Sequence, residues 1–215
     1  MSPLPVQMEN HWALEPGTDP RRAQLIWFIR AGGYPEVTDL ARNAQDRLAG
    51  LDGLDLVPAD WLHITTLIAG YADETSAEQL TTMTERTRTL LAAVPPITVT
   101  LGRVLYHPRA IMLAAEPREA LTPILSACQQ ATREATGHAG RLHTDPWIPH
   151  ITVAYGNSVR PARPAIDALG LNLPARQVTI TSVSLTSQTP DQHYIWDLIG
   201  DAALGVARRD YLGRS

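Results

Sequence analysis

Apolar and polar positions along this chain follow two alternating periods. Gln24–Ile29 (QLIWFI) is a compact apolar run of strand length. After the turn-like pair Gly32-Gly33, Val37, Leu40, Ala41, Ala44 and Leu48 recur at helical intervals, so a strand followed by a helix is expected. Gly50, Gly53 and Pro58 punctuate a loop, and a second apolar strand is expected at about Trp61–Ala69. Thr75-Ser76-Ala77-Glu78 has the form of a capping box. Leu80, Met83, Leu90 and Leu91 supply the apolar face of the helix behind it, which Pro95-Pro96 stops. Ile97–Tyr106 and Ala110–Glu116, joined by His107-Pro108-Arg109, read as a hairpin.

The second half repeats that order. Pro117 opens a helix through about Thr136, with Leu121, Ile124, Leu125 and Cys128 on its apolar face, and Gly137–Pro146 is a polar loop. A strand at about Pro149–Tyr155 and a short helix near Pro164–Leu169 follow. Then come Gln177–Ser187 and His193–Gly200, read as a second hairpin across Gln188–Gln192. Both halves give helix, strand, helix, hairpin, with Gln24–Ile29 as an extra strand at the front. The expected fold class is α+β: a duplicated two-lobed fold, with mainly antiparallel sheets facing a central cleft and helices outside. Residues 1–20 form an irregular N-terminal segment, 21–205 a single bilobal domain, and 206–215 a patternless tail carrying Arg208, Arg209 and Arg214.

Composition narrows the chemistry. With 215 residues the chain can bury a core without covalent staples, and its one cysteine, Cys128, falls at helical spacing among apolar residues, where it reads as core. The N-terminus lacks a basic start followed by an apolar stretch, and no run is long enough to span a bilayer, so a cytoplasmic location is expected. A net charge of −4 argues against broad electrostatic binding of nucleic acid, and DNA is not an expected partner, although a local basic groove remains compatible. All 18 basic residues are arginine, which excludes lysine Schiff-base and P-loop chemistry.

His-Ile-Thr occurs in both predicted strands, as His63-Ile64-Thr65 and as His150-Ile151-Thr152, 87 positions apart. Alternation along a strand turns each His and the Thr two residues on to one face. Each motif thus offers an imidazole able to give or take a proton near neutral pH beside a hydroxyl able to donate to an oxyanion. The competing readings are a histidine satisfied within the core and a metal ligand. Recurrence with the same partner disfavours the first; two histidines without an H-E-x-x-H or a same-face carboxylate are too few for the second, so no metal is expected. Asp60 and Asp145 read as loop residues, and His11, His107, His138, His143 and His193 as solvent-facing or structural.

Paired His-hydrophobic-Thr motifs on strands of a duplicated α+β chain resemble the 2H phosphoesterase superfamily, in its branch of 2′-5′ RNA ligases and 2′,3′-cyclic phosphodiesterases. The resemblance runs from about Gln24 to Gly200. It implies an enzyme, a phosphoric-diester hydrolase without cofactor or metal, acting on a 2′,3′-cyclic phosphate or 2′-5′ linkage of RNA or a nucleotide. It further implies His63 and His150 as general acid and base, with Thr65 and Thr152 holding the non-bridging oxygens. The chain departs from the family in one respect: a basic residue common just after the second motif is replaced by Tyr155-Gly156-Asn157, and Arg160 is the nearest guanidinium. In an ideal strand Tyr155 faces away from Thr152, so core packing is expected unless a bulge intervenes. Trp12, Trp147 and Tyr71 are candidate stacking partners for a base. Hydrolysis against ligation, the order of acid and base, and oligomeric state stay open. So do two other functions, a binding module without turnover and a biosynthetic enzyme reusing the fold.

Overall fold

The computed structural model describes residues 4–14, 16–142, 144 and 146–205; His143, Asp145 and the tail arginines named above lie outside the described residues. Among the described residues there are eleven strands and four α-helices: β1 (Gln7–Met8), β2 (Gln24–Arg30), α1 (Pro35–Leu48), β3 (Leu54–Leu56), β4 (His63–Tyr71), α2 (Ala77–Leu91), β5 (Ile97–His107), β6 (Ala110–Ala114), α3 (Thr122–Thr136), β7 (His150–Gly156), β8 (Arg160–Pro161), α4 (Arg163–Leu169), β9 (Asn172–Ile180), β10 (Ser182–Gln188) and β11 (Asp197–Ala203). The class is α+β, with all strand pairs antiparallel.

Eight strands form one hydrogen-bonded path, β11-β10-β2-β4-β7-β6-β5-β9, and β3, beside β7, completes a nine-stranded sheet. The path splits into two lobes at its centre, where β4 and β7 share the single register pair Ile64↔Ile151. β11-β10-β2-β4 carries α2 and α3; β7-β6-β5-β9 carries α1 and α4. The halves of the sequence are therefore exchanged between the lobes. The first-half hairpin β5–β6 pairs with the second motif strand, and the C-terminal strands β10 and β11 extend the sheet of the first. Helical faces pack on the sheet as their spacing predicts: Val37, Leu40, Ala41, Ala44 and Leu48 of α1 are buried, as are Ile124, Leu125, Cys128 and Ala131 of α3.

Several elements differ from the sequence reading. Gln177–Ser187 is two strands, interrupted at Thr181, whose N–H donates to the Tyr34 hydroxyl and whose carbonyl accepts from Leu204. β9 continues one lobe and β10 the other. Leu54–Leu56, read as loop, is a strand on β7. The capping box sits one residue later than expected: Ser76 caps α2 with Gln79 as its reciprocal partner, while the Thr75 hydroxyl donates to the Tyr71 carbonyl. The N-terminal segment is tied across the second lobe by β1–β8 pairing, by Glu9 N–H to Pro108 and by His11 N–H to Gly156. Gly156 permits that approach, since a Cβ there would meet the Glu9 carbonyl oxygen at 2.3 Å.

Candidate active site

The two His-Ile-Thr segments lie side by side and run in opposite directions. With Ile64 paired to Ile151, the register sets His63 beside Thr152 and Thr65 beside His150 on one face, at the ~4.5–5.5 Å backbone spacing of neighbouring strands. Each strand then carries a bulge in the same place. Thr65 pairs with Phe28 but Leu67 with Trp27, leaving Thr66 extra; Thr152 pairs with Met112 but Ala154 with Ile111, leaving Val153 extra. An extra residue reverses the parity of alternation. Thr66 and Leu67, like Val153 and Ala154, are buried, whereas Ile68 and Tyr155, three positions beyond each threonine, line the cleft. Tyr155 packs against the core as expected, and the Val153 bulge also brings it to the cleft wall.

Both imidazoles are held alike. Nδ1–H of His63 donates to the Trp61 carbonyl at 2.7 Å, and Nδ1–H of His150 to the Ile148 carbonyl at 2.6 Å. A carbonyl oxygen only accepts, so Nδ1 carries the proton in both rings and Nε2 is the nitrogen through which either would exchange one. Around them the two sides differ. Phe28 lies 4.1 Å from the His63 ring and Trp196 5.0 Å, edge-on, with Trp61 against Trp196 at 4.6 Å.

His63, Thr65, His150, Thr152 and Tyr155 open into one cleft of about 1510 Å³ between the lobes. Its wall is largely apolar, and its cations face carboxylates: Arg103 and Glu116 at 2.8 Å, Arg118 and Glu119 at 2.9 Å, Arg109 and Glu9 at 3.7 Å. Arg30, opposite His63 on β2, directs its guanidinium to Ser184 and Asp201. Arg160 lies in β8, outside the cleft lining.

The candidate stacking residues separate. Trp12 lines the cleft, stacked on His193 at 3.9 Å and 7°, with Nε1–H donating to Asp55 at 2.7 Å. Trp147 is 9% exposed and donates its Nε1–H to the Thr65 carbonyl at 3.0 Å, so it supports the first motif from behind rather than offering a ring to a ligand. Tyr71 closes the far end of β4, outside the cleft, with the Arg22 guanidinium 3.7 Å above its ring. His11, His107 and His193, expected to be structural or solvent-facing, all line the cleft. His11 stacks on Tyr155 at 4.1 Å. The adjacency of His11 and Trp12 was the one signal for them in the sequence. Asp60 sits exposed in a 3₁₀ turn. Burial pushes the Cys128 thiol well above its ordinary range, away from nucleophilic use. Among the described residues, no three His, Cys, Asp or Glu side chains gather as a metal site requires, and no helix is long and apolar enough to cross a membrane.

The sequence profile of the 2′-5′ RNA ligase superfamily matches residues 36–192. Among curated proteins none matches the chain by sequence. Solved structures with the same fold include TT0787 of Thermus thermophilus (18% identity, 85% of this chain and 98% of that one, TM-score 0.61) and E. coli LigT complexed with 3′-AMP (16%, 86% and 98%, TM-score 0.60). The phosphodiesterase domain of MHV ns2 is a further one (12%, 77% and 98%, TM-score 0.57).

Proposed function

Because the chain belongs to the 2′-5′ RNA ligase superfamily, we propose that it is a phosphoesterase that opens a 2′,3′-cyclic phosphate or a 2′-5′ phosphodiester of RNA or a nucleotide by paired-histidine acid–base catalysis without a metal. The observation that carries the reading is the Ile64↔Ile151 register, which sets two His/Thr pairs head to tail on one cleft face with both Nδ1 atoms tied to backbone carbonyls.

In-line displacement at phosphorus requires a proton removed on one side and supplied on the other. A neutral imidazole takes the proton of a water or ribose hydroxyl at Nε2, and a protonated one gives its Nε2–H to the leaving oxygen. Each Nδ1–H bond to a carbonyl holds the ring in the orientation this needs and stabilises the imidazolium as it forms. The hydroxyls of Thr65 and Thr152 lie diagonally between the rings, where they donate to the non-bridging oxygens as charge builds there. A cleft of this volume exceeds the roughly 300–1,000 Å³ of ordinary ligand pockets, so it accepts a nucleotide of the kind LigT holds with room for a neighbouring residue. Trp12 on His193 supplies a flat apolar face for a base.

The test is incubation with uridine 2′,3′-cyclic phosphate, with and without EDTA, followed by product analysis. Conversion to a single monophosphate isomer at the same rate in both arms supports the reading. Binding without product would make the protein a binding module, and loss of turnover with EDTA would make the chemistry metal-dependent.

A further inference from the structure

We infer that the substrate of this site is a nucleotide-sized phosphodiester carrying one negative charge and an apolar group, and that Glu116 and Glu119 exclude a chain bearing further phosphates. The inference rests on the phosphoesterase reading and narrows the substrate within it. Charge balance is the first observation. Imidazoles aside, the cations lining the cleft among the described residues are three guanidiniums, and each faces a carboxylate: Arg103 with Glu116, Arg118 with Glu119, and Arg109 with Glu9. Glu116 is fixed in place. Its backbone exchanges two hydrogen bonds with Thr100 of β5, and it stands two positions past Ala114, the register partner of His150. The hydrogen bond from Arg118 holds the Glu119 carboxyl below its ordinary range, so that group stays an anion at neutral pH.

The second observation is where the exposed apolar surface lies. Of the nine large apolar side chains left exposed among the described residues, Leu4, Leu14, Ile148 and Leu171 line this cleft. Leu4 and Leu14 come from the N-terminal segment that carries Trp12, Ile148 supplies the carbonyl that holds His150, and Leu171 immediately precedes β9. Apolar side chains gathered in one cleft mark a ligand that takes them out of water. A polynucleotide track has the opposite make-up, with unpaired cations spaced along the backbone. In the proposed reaction one of the two imidazoles is protonated and the other neutral, so the pair adds a single positive charge to an otherwise balanced cleft. That charge matches one phosphodiester. A further phosphate would meet Glu116 or Glu119 where every guanidinium already faces a carboxylate, and like charges brought together discriminate strongly against it. The room beyond one nucleotide is therefore filled by an apolar substituent.

The test compares three uridine 2′,3′-cyclic phosphates that differ only at the 5′ position, where an RNA chain would continue: the free hydroxyl, a phosphate and a benzyl ether. The 5′-phosphate adds about two negative charges and should lower kcat/KM at least about tenfold. The benzyl ether should raise it about tenfold by burying its ring against the exposed apolar side chains. Glu116→Gln combined with Glu119→Gln should recover most of the loss on the 5′-phosphate, while the hydroxyl compound reacts within about twofold of the wild-type rate. Equal or better turnover of the 5′-phosphate, no gain from the benzyl ether, or undiminished discrimination in the double variant would overturn the inference. Should the double variant misfold, salt decides on the wild type: the rate on the 5′-phosphate relative to the hydroxyl compound must rise with ionic strength as repulsion is screened, and a fall would reveal free cations and refute it. If none of the three compounds is turned over, the phosphoesterase reading fails separately, and their dissociation constants decide. The benzyl ether must then bind tightest and the 5′-phosphate weakest; any other order refutes the inference.

Discussion

Trp147→Phe separates a ring that supports the first motif from a ring that touches substrate. The indole is almost wholly buried, and its Nε1–H reaches the carbonyl of Thr65, in the first His-Ile-Thr motif 82 positions earlier in the chain. Phenylalanine removes that donor and leaves part of the indole volume unfilled. The lost bond is worth about 1 kcal/mol and the smaller ring about another 1 kcal/mol, together about 2 kcal/mol. In a domain of this size, that lowers Tm by roughly 4–8 °C. Because the ring lies outside the cleft lining, KM should stay within about twofold, while kcat falls severalfold as the Thr65 segment loses its tether. Urea denaturation, a thermal melt and steady-state kinetics on one cyclic nucleotide read all three quantities. Unchanged stability combined with a tenfold higher KM would show that the indole meets the substrate, and the supporting role assigned to it would be wrong.

Two other expectations follow from the cleft wall. Trp12→Ala should raise KM for a nucleotide substrate about tenfold, in the range lost when one stacking partner of a base is removed, with kcat changed less than threefold; a loss confined to kcat would argue against stacking. Tyr106 donates to the Gly170 carbonyl at 2.6 Å, and burial pushes its phenol up to about 12. A phenol that holds its proton more tightly folded than unfolded contributes stability present below about pH 10 and lost as pH rises towards 12. Tyr106→Phe should therefore flatten the decline of Tm between pH 10 and 12, and an unaltered slope would contradict that origin.

The parts of this molecule that were legible in its sequence are those fixed by local periodicity. The buried faces of α1 and α3 follow directly from the spacing of Val37 to Leu48 and of Leu121 to Cys128, and His63 and His150 announce themselves by repetition. What escaped depends on partners remote in sequence. VTITSVSLTS contains no glycine or proline, so nothing local marks Thr181 as the point where one lobe ends and the other begins; Tyr34 and Leu204 do that from elsewhere. Leu54–Leu56 is a strand because β7 offers it an edge, not because three residues between Gly53 and Val57-Pro58 prefer one. Bulges leave no trace in a hydrophobic pattern, so the orientation of Tyr155 could be posed as a question and no more. Trp147 shows that an irregular backbone does not imply an exposed side chain, since its segment is folded inward to reach Thr65.

The central claim is that two histidines from distant parts of the chain serve one reaction in opposite protonation states. The pH dependence of kcat/KM for wild type, His63→Ala and His150→Ala tests it most directly. Wild type should give a bell near neutral pH, and each variant should lose roughly two to four orders of magnitude in rate together with one limb, the acidic limb in one and the alkaline limb in the other. A full bell retained by either variant, or near-wild-type turnover, would contradict the claim.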